Sequence, residues 1–254
     1  MAFKMFWVQV SDLTLASIKS RYRRTFAGFI WVILNPLLMF GVQSLVFKKF
    51  LKLQIPEYYL YLLGGLLPWI FISQTIQMGT PVFISQAHLL KSFKINPLVL
   101  IASQVLDNFI NFLASFAIIL LPFFLFSDRE ALNLIYMPLV LIPLLVATMG
   151  FTISLSLLNV FYRDINFIMG FVFSLLFFIT PIFYPRGFVP SDWQWMVDWN
   201  PFTYLIEPFR TLLWDPTMGN FWIKYLNSLG IATLSCLFAG YTWHRRRNGF
   251  YRKL

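Results

Sequence analysis

The chain has 254 residues, of which 59% are hydrophobic, 20% aromatic and only 12% charged, with a formal net charge of +10. Soluble domains carry about 25% charged residues, so water is excluded as the main solvent, and apolar runs long enough to cross roughly 30 Å of hydrocarbon become the unit to count. The cations flank those runs without any nucleic-acid-binding signature, and the single cysteine, Cys236, excludes a disulfide framework or a multi-cysteine metal site.

Residues 3–24 predict a helix lying at the membrane surface. Phe3, Phe6, Trp7, Val10, Leu13 and Ile18 recur at helical spacing, and Lys19, Arg21, Arg23 and Arg24 make a basic end. With Trp7 these four cations read as interface anchors. Polar residues interleave with the apolar ones, so no cleavable leader is expected. A first span follows at 29–47, broken by Asn35-Pro36, and then Lys48, Lys49 and Lys52. The second span, 58–79, opens on tyrosines and contains Gly64-Gly65 and Pro68, residues that permit close packing or a bend.

Residues 84–95 predict a short amphipathic helix between spans, suited to docking a protein. The third span, 98–126, carries Gln104, Asp107, Asn108, Asn111 and Ser115 at three- and four-residue spacing. Such a stripe is costly against lipid and should face protein or a wet cavity. It reads equally as part of a translocation path and as buried packing. The fourth span, 132–160, has Thr148, Thr152, Ser156 and Asn159 on one face, and a tight link through Arg163 and Asp164 leads to the fifth, 165–185. Residues 186–215, rich in Trp and Pro, predict short re-entrant helices, since they are too irregular to cross and too apolar for a soluble domain. The sixth span is 220–243. The fold class expected is an all-α polytopic membrane protein of six transmembrane helices behind an N-terminal amphipathic helix. With both termini on the cytoplasmic side, that side holds 13 Lys and Arg against 7 on the other, and Lys48, Lys49 and Lys52 run against the bias.

No phosphate loop, HExxH pair or nucleophile elbow is present. A membrane-embedded lipid-processing enzyme would have to combine Asp107 with His88 or Glu207, which are assigned to different membrane levels.

Five stretches, IKSRYRRTFAGFIWVILNPLL (18–38), HLLKSFKINPL (88–98), NVFYRDIN (159–166), ITPIFYP (179–185) and WNPFTYLIEPFR (199–210), together resemble the transmembrane subunit of bacterial ABC-2 type exporters of cell-surface polysaccharides. The resemblance implies an inner-membrane homodimer bound to two copies of a separate cytoplasmic ATPase that holds ATP and Mg, with no catalysis and no cofactor in this chain. It implies coupling to the ATPase through His88, Leu89, Leu90, Lys91, Phe93 and Lys94, with Arg163 and Asp164 at the next turn on that side. The cargo implied is a lipid-linked polysaccharide, O-antigen first, with capsule, teichoic acid or a small lipid or drug as alternatives. Aromatic faces suit a sliding sugar polymer, which makes Tyr22, Phe26, Trp31, Tyr58, Tyr59, Trp69, Phe178, Tyr184 and Trp199 path candidates beside Gln104, Asp107 and Asn111, although rings at span ends also serve as plain membrane anchors.

Overall fold

The computed structural model describes residues 2–22, 30–93, 95–125, 135–215 and 217–254. Arg23, Arg24, Phe26 and Lys94 lie outside the described residues, as do the side chains of Arg21 and Tyr22.

Helix α1 covers Ala2–Tyr22. It runs parallel to the first turns of α6 (Pro97–Leu125): the Thr14 hydroxyl donates to the Ser103 carbonyl at 3.4 Å and Ser17 donates to the Asp107 carboxylate at 2.8 Å. Val10 is buried there against Val99 and Ala102. The face that meets α6 is therefore Val10, Thr14 and Ser17, whereas Phe3 and Trp7 are exposed.

Helix α2, Ile30–Ser44, continues through a π-helical turn, Leu45–Phe50, and packs on α3 and α6, with the Ser115 hydroxyl donating to the Val32 carbonyl at 2.8 Å. Helix α3, Tyr58–Gly79, is the central element, with most of its side chains buried from every side. The docking stretch is split into α4, Val82–Ser85, and α5, Ala87–Ser92.

Helix α7, Met137–Phe161, and α11, Phe221–Lys253, run parallel. Tyr136 meets Phe221, Gly150 meets Ser235 and Phe161 meets Arg246, each pair 85 residues apart. The buried face of α11 is a row of small residues, Ser228, Ala232, Ser235, Ala239 and Thr242. Small side chains let helices approach closely in lipid, where dispersion rather than water expulsion drives association. Helix α11 also extends ten residues beyond the predicted span end at 243, to Lys253.

Two parallel helices need a return crossing between them, and among the described residues of that interval the apolar helix available is α8, Ile165–Ile179. At 15 residues and 1.5 Å per residue it is roughly 22 Å long, short of the hydrocarbon thickness. Five helices among the described residues are long and apolar enough to cross by themselves. The predicted fifth span thus ends its helix at Ile179 and finishes as the non-helical stretch 180–185. Helices α9, Gln194–Asp198, and α10, Pro201–Trp214, complete the fold. All long elements are helical and polytopic, so the chain is an all-α multi-pass membrane protein.

Candidate translocation groove and coupling end

The non-helical stretch has to satisfy its backbone without water. Thr180, Pro181, Ile182 and Phe183 are fully or nearly fully buried. Arg210, on α10, donates Nη2 to the carbonyls of Pro181 and Ile182 at 2.5 and 3.4 Å, while its guanidinium lies 4.0 Å over the Tyr61 ring. The Tyr58 hydroxyl donates to the Phe183 carbonyl at 3.1 Å, and Asn200 donates to the Thr180 hydroxyl at 2.7 Å while accepting from the amide of Phe202 to cap α10. Gly65 allows this approach, since a Cβ there would sit 2.7 Å from Arg210 Nη2 and 3.2 Å from the Ile182 carbonyl oxygen.

Helix α10 then runs antiparallel to α3, from Phe202 against Trp69 to Trp214 against Tyr61, and Trp214 Nε1 closes the end on the Pro56 carbonyl at 2.7 Å. Along α3 this reaches eleven residues in from Tyr58, about 16 Å of depth. Residues 186–214 are therefore a run of short helices held to α3. Its exposed rim is fixed by a bidentate pair, Arg186 to Asp198 at 2.7 and 2.6 Å. The hydrogen bond from Arg186 holds the Asp198 carboxyl below its ordinary range.

Between α2, α3 and α8 lies an open groove of about 290 Å³. It is lined by the rings of Trp69, Phe173, Phe177 and Phe178, with the amides of Asn35, Gln74 and Gln77 and the hydroxyls of Ser73 and Ser174 among them. Flat rings beside neutral donors and acceptors can hold the C–H face of a sugar while bonding its hydroxyls in several registers. Of the sequence candidates, Trp69 and Phe178 line this groove. Trp31 is exposed on α2, and Tyr59 is half-buried against the core. Tyr58 is buried as a strut for the broken stretch, and Tyr184 donates to the Phe178 carbonyl at 2.5 Å. Trp199 is 84% exposed at the end of α9. Gln104, Asp107 and Asn111 are on α6, away from the groove, with Asp107 fully buried beneath Ser17 of α1. The sequence reading missed Asn35 and the Ser73, Gln74, Gln77 set, whose one- and three-residue steps mark a polar edge on an otherwise apolar helix.

The other candidates gather at one end of the bundle. Phe83 of α4 and Leu90 of α5 pack with Leu100, Leu157, Val160 and Phe250. That cluster places His88, Lys91 and Phe93, all exposed, at the same end as Tyr162, Arg163, Asp164 and the basic tail. Leu89 is half-buried and Leu90 buried. Arg246 ties the tail to the α7–α8 turn by donating to the Tyr162 hydroxyl at 3.3 Å. Lys48 and Lys49 belong to the opposite end, where the neighbouring Phe47 stacks on Phe183 at 4.8 Å.

A family model for ABC-2 type transporters matches residues 8–214, from within α1 to the end of α10. The chain belongs to the ABC-2 type transporter family. Two relatives named O-antigen export system permease protein RfbA are each 29% identical to it, one from Klebsiella pneumoniae over 86% of this chain and 85% of its own length, one from Myxococcus xanthus over 80% and 79%. The polysialic acid transport protein KpsM of Escherichia coli is 22% identical over 96% of this chain and 95% of its own. As an ABC-2 permease the chain is a non-catalytic transport subunit. Among the described residues no three of His, Cys, Asp and Glu are grouped to hold a metal ion.

Proposed function

We propose that this chain is the permease half of an ATP-driven exporter of lipid-linked surface polysaccharide, O-antigen first, in a bacterial inner membrane. The observation that carries the reading is the groove between α2, α3 and α8, whose aromatic wall and uncharged polar edge match a neutral sugar chain better than a charged or purely apolar cargo. The relatives named for O-antigen export support a polysaccharide cargo.

In this account the chain crosses six times, with the fifth crossing supplied by α8 and the buried stretch 180–185. Both termini are cytoplasmic, because the α5, Arg163 and tail cations share one end. Two copies pair through the apolar faces of α2 and α8, where Leu38, Val42, Phe167 and Phe171 are exposed, and so close the groove into a channel. Two copies of a cytoplasmic ATPase bind ATP and Mg and dock on His88, Lys91 and Phe93, with Lys94, Arg163 and Asp164 at the margin. The Asp107 stripe secures α1 and α2 to α6, and residues 186–214 form the outer rim.

Complementation tests this. Expressed with its cognate ATPase in strains that lack O-antigen, capsule or teichoic acid export, the chain should restore surface glycan in the O-antigen strain. Assembled protein that restores none of the three would refute the polysaccharide assignment.

A further inference from the structure

Lys48, Lys49 and Lys52 have no task in this account. They sit at the end opposite the coupling cluster, where Lys and Arg are otherwise sparse, and cations on that side run against the usual charge bias. Their side chains are exposed. The stretch from Ile30 to Pro56 contains no acid, and the nearest one in sequence, Glu57, follows at the start of α3.

The turn that carries them is well held. Leu51 donates its amide to the Val46 carbonyl at 3.0 Å and Leu53 to that of Phe47 at 3.1 Å. Lys52 turns the chain with a left-handed φ of 51°. Phe47 lies flat on Phe183, with ring planes 9° apart. Between the lysines, Phe50 and Leu51 are 71% and 60% exposed. A held backbone thus presents three cations on long stems with two apolar side chains among them. Ammonium groups on such stems reach the phosphate plane of a bilayer while apolar neighbours enter the acyl layer.

We propose that the turn from Phe47 to Lys52 is a binding site for anionic phospholipid headgroups on the face opposite the coupling end, the outer leaflet in the orientation given above. The phosphates pair with Lys48, Lys49 and Lys52 as point charges, and Phe50 and Leu51 enter the acyl chains. The bound lipid braces the end of α2, whose Asn35 and Met39 line the groove. This rests on the proposed orientation, and two separate measurements keep the two apart.

The first uses the complete transporter, this chain with its ATPase, in detergent. It is titrated with phosphatidylglycerol and with phosphatidylcholine, and bound lipid is counted by native mass spectrometry. Phosphatidylglycerol should bind in preference. The combined variant Lys48→Gln, Lys49→Gln, Lys52→Gln should weaken it by about fivefold per lysine, on the order of 100-fold in all, as expected for basic residues near an anionic surface. The corresponding triple Lys→Arg variant should retain it. Unchanged phosphatidylglycerol binding in the glutamine variant would overturn the proposal. So would equal weakening for both lipids, or a changed oligomeric state with lipid binding intact, which would make the turn a protein interface.

The second labels Lys49→Cys in a Cys236→Ser background with an impermeant maleimide. Labelling from outside right-side-out vesicles supports the outer leaflet. Labelling from the inside alone would overturn the orientation, while the titration would still report whether the turn binds lipid.

Discussion

Replacing Gly150 with alanine tests the parallel α7–α11 frame on which the crossing count depends. A Cβ at Gly150 would lie 2.6 Å from Ser235 Oγ, 2.7 Å from the Ser235 carbonyl carbon and 2.9 Å from its oxygen. The hydroxyl can swing aside, but the carbonyl belongs to the α11 backbone, so the helices must part by about 0.7 Å at this crossing to restore ordinary contact near 3.4 Å. A gap of that size forfeits a quarter to a half of each dispersion contact along the row of small residues. Overpacking of this kind costs about 1–3 kcal/mol. Thermal denaturation of the purified permease–ATPase complex should show a lower midpoint for Gly150→Ala than for Gly230→Ala, where a Cβ meets nothing within 4 Å. Adding Ser235→Gly should not rescue it, because the obstructing carbon and oxygen are main-chain atoms. Full rescue, or equal midpoints for the two alanine variants, would refute the close parallel packing.

Arg210→Met should leave the carbonyls of Pro181 and Ile182 unpaired, at about 1–3 kcal/mol for each buried acceptor, seen as faster proteolysis of the 180–200 segment in intact vesicles. Lys91→Glu with Lys94→Glu should lower stimulation of the ATPase severalfold while leaving the permease folded, measured as hydrolysis by the reconstituted complex beside a thermal midpoint for the permease. The Asp198 carboxyl, held below its usual 3.8 by the Arg186 hydrogen bond, stabilises the rim fully above that value and loses its contribution as pH falls through the lower folded value. Protection of the amides of residues 186–200, taken relative to their intrinsic exchange rates, should therefore be unchanged from pH 7 to 5 and fall below about pH 4, and Arg186→Gln should abolish the step.

The long helices were legible because lipid demands uninterrupted apolar runs, and α3, α6 and α7 lie within a few residues of the spans read from 58–79, 98–126 and 132–160. What escaped was everything set by pairing across the chain. Thr180 to Phe183 read as the tail of a span because their residues are apolar; only Arg210 and Tyr58, far away in sequence, allow the backbone to leave the helix there. The groove was half visible, as Trp69 and Phe178 were marked by their rings, whereas Gln74 and Gln77 were hidden in a predominantly apolar helix. Asp107 stood out in sequence because an acid among apolar residues is conspicuous, yet its partner, Ser17, lies 90 residues away on a helix whose seating on α6 no local pattern announces.

The central claim is that sugar chains move through the groove at the cost of ATP. The most direct measurement reconstitutes the permease and its ATPase in sealed vesicles carrying a lipid-linked O-antigen on the ATPase side and follows lectin-accessible glycan on the far side. ATP should drive its appearance, and Gln74→Ala with Gln77→Ala should slow it about tenfold without loss of assembly, the two lost side-chain contacts together being worth roughly 1.4 kcal/mol in the barrier. Export at the same rate in that variant would contradict the groove as the path, and ATP-driven movement of a simple lipid with none of the glycan would contradict the polysaccharide reading.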